Sequence, residues 1–250
     1  MTEDSIVTTS ETPIGTTRPG LPQLRQIVLL TGDLAGAMAE ARAAFRVPPG
    51  TRDEPGMAAI GFRHEVVGFD RTYLEICEPL DPQSPPGRRI ARDGDSGFMV
   101  VVQVDDAAAM LRRAADCGLS PLMTKDFHGS PISQWHPREF GTIAEFDQMI
   151  PPQSWHLAPA VYDSRSTAVV ADIAQVRLAV PEPAEMAARW ATVTGGTLLA
   201  DGTTVGLGAG TVAFVPRVEG EPAFAVDCLA AEPDLVGTVV RLCGVDFTLI

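Results

Sequence analysis

The sequence predicts an α+β protein of tandem β-α-β-β-β modules, whose curved mixed sheets form cups with the helices outside. Three observations predict it. An apolar strand followed by an amphipathic helix opens the periodic part of the chain near Leu24, and the same order returns three more times. Two stretches overlay in register: Leu24-Arg25-Gln26-Ile27-Val28-Leu29 on Ile173-Ala174-Gln175-Val176-Arg177-Leu178, and Thr72-Tyr73-Leu74-Glu75-Ile76 on Gly210-Thr211-Val212-Ala213-Phe214. Such a repeat of some 50 residues cannot bury both faces of its small sheet alone, so neighbouring modules must share a core. Finally, 45% of the 250 residues are hydrophobic, which is enough for packed cores and too many for a disordered chain.

The elements follow in order. Residues 1–20, rich in Thr, Ser, Glu and Pro, read as a disordered tail. In the first module, 26–30 is a short apolar strand, and Thr31 or Asp33 caps a helix over 34–45 that places Leu34, Met38, Ala41 and Phe45 on one face. Pro48-Pro49-Gly50 ends that helix. A strand is expected over 57–67, a turn at Gly68-Phe69-Asp70, and an alternating strand over 72–77 that Pro79 stops. The stretch 81–96 reads as a loop by its Pro, Gly and Arg content. The second module has a strand at 97–104, a helix over 107–117 capped by Asp105-Asp106 and ended by Gly118, candidate strands at 121–127 and 132–135, and a last strand at 141–147. A second linker spans 153–170. The third module has a strand at 173–180, a helix at 184–193 and short strands at 203–207 and 211–215. The fourth is shortened to a strand at 223–229, a helix at 234–243 and a strand at 245–250. The expected organisation is therefore a tail (1–20), a two-module domain (21–152), a linker (153–170) and a degenerate second domain (171–250).

Composition narrows the function classes. Acids outnumber bases 32 to 19, a net charge of −13, and Lys125 is the only lysine among the bases. Such a chain does not suit nonspecific binding to nucleic acid or to anionic membranes, though a local arginine pocket for one anionic ligand is compatible with it. No apolar run is long enough for a membrane span. The four cysteines lie far apart with no C-x-x-C pair, and the polar N-terminus has no apolar signal core, so a cytoplasmic protein with reduced thiols is the expectation. Gly206-Leu207-Gly208-Ala209-Gly210 lies between two short strands, not between strand and helix, which argues against a dinucleotide site.

Three segments carry a resemblance: the strand-helix start from Gln26 to Leu34, the run Tyr73-Leu74-Glu75-Ile76-Cys77-Glu78-Pro79, and His136-Pro137-Arg138 followed by Glu145. Together with the tandem modules they resemble the glyoxalase-like, or vicinal oxygen chelate, superfamily, which includes glyoxalase I, methylmalonyl-CoA epimerase, extradiol dioxygenases and bleomycin resistance proteins. The resemblance covers most of 24–150 and, more weakly, 172–250. It implies a cup that binds a small-molecule substrate, a homodimer, and a divalent metal (Mg, Mn, Co, Ni or Zn). The metal would be held from the first and last strand of each module, positions that read Gln26, Glu75, Met99 and Glu145. Gln26, Glu75 and Glu145 fit an oxygen ligand set; Met99 does not, because a thioether is a poor ligand for such ions. With no histidine after His156, extradiol dioxygenase chemistry is not expected.

Two strand-borne carboxylates facing one cup repel each other unless a cation sits between them or one holds a proton. Glu75 and Glu145 are thus the candidate catalytic groups, as ligands or as acid and base. Met99, His64, Trp135, His136 and Arg138 are the candidate substrate contacts. His128 reads as a loop residue, and His156, after Trp155 in the second linker, as a packing residue. Two functions fit: an isomerase or lyase acting next to a carbonyl, or a metal-free protein that sequesters a small molecule.

Overall fold

The computed structural model describes residues 20–127 and 129–250; the expected tail, apart from Gly20, and His128 lie outside them. Residues 23–147 supply one seven-stranded sheet. Its elements are β1 (Gln23–Leu30), α1 (Leu34–Phe45), α2 (Glu54–Ala59), β2 (Phe62–Gly68), β3 (Tyr73–Pro79), α3 (Pro85–Asp93), β4 (Ser96–Gln103), α4 (Ala107–Asp116), β5 (Met123–Phe127), β6 (Ser130–Trp135), α5 (Pro137–Phe140) and β7 (Ile143–Asp147). The strand order is β2-β3-β1-β4-β7-β6-β5. β1 and β4 run antiparallel at the centre, β3 lies parallel to β1, and β7 lies parallel to β4. Each half is one module, and the mixed sheet is their sum.

The rest of the chain repeats the plan with α6 (Ala160–Asp163), β8 (Val170–Val180), α7 (Pro183–Thr194), β9 (Thr197–Leu198), β10 (Thr204–Leu207), β11 (Gly210–Pro216), β12 (Phe224–Ala230), β13 (Val239–Leu242) and β14 (Val245–Leu249). Its sheet has the order β13-β14-β12-β8-β11-β10-β9, again with an antiparallel central pair, β8 and β12, flanked by parallel strands.

Period-2 alternation sorts each strand of the first sheet into two faces. Ile27, Leu29, Leu74, Ile76, Val100, Val102, Ala144 and Phe146 pack with α1, α4 and α7 and with Val176, Leu178 and Phe214 of the second sheet, so a single apolar core joins the two sheets. Trp190 and Phe140 meet edge-on there at 5.7 Å. Close approach leaves no room at Gly97, where a Cβ would stand 2.2 Å from Cγ of Phe224. The opposite face of the first sheet carries Val28, Leu30, Val66, Tyr73, Cys77, Met99 and Val101, a separate cluster that Trp155 and Val161 cover. This is the cup.

The structure departs from the sequence expectations in four places. The stretch 54–59 is helical because the Asp53 side chain accepts the Gly56 N–H at 3.1 Å and Pro55 sits in the first turn, where its missing N–H costs nothing. The first module therefore has three strands. The 81–96 loop contains α3, started in the same way by Ser84, whose hydroxyl accepts the Gly87 N–H at 3.2 Å. In the shortened fourth module the expected 234–243 helix is a single turn, Pro233–Leu235, followed by β13; Gly237 at φ +89° breaks the helical path and the β-branched Val239-Val240 continues extended. The linker over 153–170 is an ordered segment with α6, folded onto the first cup. No helix among the described residues is long and apolar enough to cross a membrane.

Candidate active site in the first cup

Gln26 on β1, His64 on β2, Glu75 on β3, Met99 on β4 and Glu145 on β7 all alternate to the cup face and are all buried. The ladder aligns Gln26 with Tyr73 and Met99 with Ile143, so Gln26 and Met99 occupy matching places in the two modules, as do Glu75 and Glu145.

The first module's polar groups satisfy one another. The Gln26 amide donates to Glu75 Oε2 at 2.7 Å, and the Gln26 carbonyl accepts the Trp155 indole N–H at 2.8 Å. His64 Nδ1 meets Glu75 Oε1 at 2.5 Å, while its Nε2 accepts the Asp53 N–H at 2.7 Å. Trp155 seals this row. Its ring stacks on Tyr73 (5.7 Å between centroids, 8° between planes) and takes the Arg25 guanidinium on its face at 4.7 Å. Burial lowers the Arg25 pKa and raises that of the Tyr73 phenol.

The second module is arranged differently. Gln134, on β6, donates to Glu145 Oε2 at 2.6 Å and lies 4.0 Å from the Met99 sulfur. Asp147, two residues on and therefore on the same face as Glu145, is fully buried, and its Oδ2 meets His156 Nε2 at 2.8 Å. The Glu145, Asp147 and His156 ligand atoms all lie within 4.8 Å of one another. Burial, reinforced by the Asp147 charge, pushes the Glu145 carboxyl up to about 8; burial also raises Asp147 well above the usual carboxylate range and lowers His156. In the metal-free protein the carboxyl pair therefore holds a proton against a neutral imidazole.

A pocket of about 520 Å³ has His156 in its lining. Its walls include Arg52, Phe127, Ser130, Met149 and Trp155. Arg52 is set there by Glu65, a side chain only 1% exposed that accepts Arg52 Nε at 3.0 Å, the Gly50 N–H at 2.7 Å, and a hydrogen bond from Arg42. Burial opposes the charge on Glu65, but these donors hold its carboxyl below the usual range.

The other sequence candidates stand elsewhere. Trp135 alternates away from Gln134 into the main core, packed on Phe140 and Phe146. His136 is exposed and caps α5, its Nδ1 accepting the Arg138 N–H at 3.0 Å; Arg138 is exposed and pairs with Glu139. Asp147 and His156 were missed by sequence reasoning. The signal for Asp147 was its i+2 spacing from Glu145 on one strand face; nothing local announced that the connector would bring His156 to it.

The four positions that hold a metal in the superfamily do not suit a hard or borderline divalent ion here. Met99 offers a thioether, and the Gln26 carbonyl and both Glu75 oxygens are taken by Trp155, His64 and the Gln26 amide. Acidic and imidazole donors converge instead at Glu145, Asp147 and His156.

The profile of the glyoxalase-like domain family matches residues 27–194. A methylmalonyl-CoA epimerase solved with methylmalonyl-CoA and NH4+ aligns at 20% identity over 54% of this chain and 100% of its own, with a TM-score of 0.46. Methylmalonyl-CoA epimerase from Mycobacterium tuberculosis aligns at 19% identity over 50% of this chain and 87% of its own, with a TM-score of 0.44. A triple mutant of 4-hydroxymandelate synthase from Streptomyces coelicolor aligns at 16% identity over 85% of this chain and 71% of its own, with a TM-score of 0.64; that overlap spans both sheets and shows a shared fold. A search of curated proteins finds no match.

Proposed function

The chain belongs to the glyoxalase-like domain family, and from that premise we propose that it is an acid–base enzyme of the isomerase or lyase type, moving a proton next to a carbonyl group of a small molecule bound over His156. One observation carries this reading: a histidine in the pocket wall, His156, is joined at 2.8 Å to the buried Asp147 carboxyl, which shares its strand face with Glu145. His156 faces the substrate with the ring edge that Asp147 leaves free and exchanges the proton there, while the buried Asp147 and Glu145 carboxyls behind it take that proton up and return it. Burial removes competing water and strengthens each of these contacts. The Gln134 amide holds Glu145 in place.

A panel of 2-oxo acids, 2-hydroxy ketones and acyl thioesters in D2O tests the proposal, with deuterium uptake next to the carbonyl read by NMR. Catalysed uptake on one class, reduced at least about 100-fold in Glu145→Gln, is the expected result. Uptake unaffected by that substitution overturns it. The second reading, sequestration, is favoured by Met99 standing where a ligand is usual. It predicts saturable binding in the pocket with no deuterium uptake in any class.

A further inference from the structure

Asp147 is an incompletely compensated carboxyl group in the cup. It is 0% exposed, and its Oδ1 has no hydrogen-bond partner, although Oδ2 meets His156. A carboxylate oxygen buried without a donor is costly unless a proton or a cation meets it. The groups around it are donors suited to a cation: the second carboxylate of Glu145 from the same strand face, and the imidazole of His156 delivered by the connector.

We propose that Glu145, Asp147 and His156 form a binding site for a divalent first-row transition ion of the Zn2+, Mn2+ or Co2+ class. Two carboxylates and one imidazole are a donor set such ions accept while keeping positions open for water or substrate. The geometry is close to ready. Metal–ligand bonds of about 2.0–2.2 Å place neighbouring ligand atoms roughly 3 Å apart. The Asp147–His156 contact is already 2.8 Å, and the outermost pair, within 4.8 Å, needs only a side-chain adjustment to close. Gln134, donating to Glu145 at 2.6 Å, supplies the outer hydrogen bond that orients a ligand carboxylate. The pocket over His156 gives the ion a route in and a side open to a substrate carbonyl.

This site differs from the superfamily arrangement. Glu145 is retained, but the ion moves along β7 toward Asp147, needs neither Gln26 nor Glu75, and leaves the thioether at Met99 without consequence. It deepens the proposed function and rests on it for its purpose, because an ion here would polarise the carbonyl beside which the proton moves.

The test uses the full chain, stripped with a chelator and titrated with Zn2+, Mn2+ or Co2+, following stoichiometry by elemental analysis and affinity by calorimetry, with the Co2+ visible spectrum as a signature of coordination. The expected result is one ion per chain, with affinity falling at least 10-fold in His156→Gln and in Asp147→Asn and by less than about 3-fold in Glu75→Gln, whose charge reaches the site only from a distance. His156 lies on the connector and is partly exposed, so His156→Gln is the milder of the two changes, and circular dichroism checks that both variants fold. Failure of all three ions to bind the folded wild-type chain overturns the site, as does binding that survives His156→Gln but is lost in Glu75→Gln. The binding readout is independent of turnover. Stoichiometric binding without deuterium exchange refutes the reaction and upholds the site; exchange in a chain that binds no ion refutes the site and upholds the reaction.

Discussion

Replacing Trp155 with alanine tests whether the connector is an integral wall of the cup. The indole is 1% exposed, stacks on Tyr73 at 5.7 Å, carries Arg25 on its other contact at 4.7 Å, and donates to the Gln26 carbonyl at 2.8 Å. Truncating a buried tryptophan costs about 3–5 kcal/mol through lost transfer energy and the cavity left behind. The orphaned Gln26 carbonyl adds to this unless water enters, and water entry is the more favourable route once the ring is gone. We expect Trp155→Ala to lose about 4 kcal/mol in urea unfolding at neutral pH. Trp155→Phe keeps a stacking ring and loses only the N–H, so its expected loss is about 1–2 kcal/mol. A loss under about 1 kcal/mol in Trp155→Ala would show that the connector merely rests on the cup, and the argument for His156 as part of the site would fall with it.

Three further outcomes follow from the same structure. In the metal-free protein the Glu145 carboxyl sits at about 8, above its ordinary 4.5, so the folded state keeps a proton that the unfolded chain releases; the associated stability is full below pH 4.5 and is lost as pH rises through 8. Chelator-treated Glu145→Gln should therefore show a shallower decline in urea titrations from pH 5 to 8.5; equal slopes refute it. Glu65→Gln uncouples Arg42 and Arg52 from their buried partner and should cost about 3 kcal/mol while loosening the Arg52 wall of the pocket, seen as weaker ligand binding in calorimetry. Gly97→Ala drives a methyl into Phe224 and should cost about 1–3 kcal/mol with both sheets destabilised together, a single unfolding transition remaining.

Much of the fold was legible because period-2 alternation and helix caps are local signals. Asp33 and Asp106 accept the Gly36 and Ala109 N–H groups as capping residues do, and the strand faces carrying Gln26, Glu75, Met99 and Glu145 follow from alternation alone. The same rule, applied one residue further, places Trp135 opposite Gln134 and so removes it from the cup. Short helices were lost where their capping side chains, Asp53 and Ser84, sit among prolines that also read as loop. The site's decisive feature was not local at all. Trp155 reaches Gln26 across 129 residues, and His156 gains its meaning only from Asp147 on a strand that the connector follows and then folds back over.

We place the proposed chemistry at the Glu145–Asp147–His156 end of the cup and not in the sealed Gln26–Glu75–His64 row. Deuterium uptake by Glu145→Gln and by Glu75→Gln, compared at equal folded fraction, separates the two ends. The expected loss is at least about 100-fold in the first and less than about 10-fold in the second. A large loss in Glu75→Gln with Glu145→Gln near wild type would contradict it.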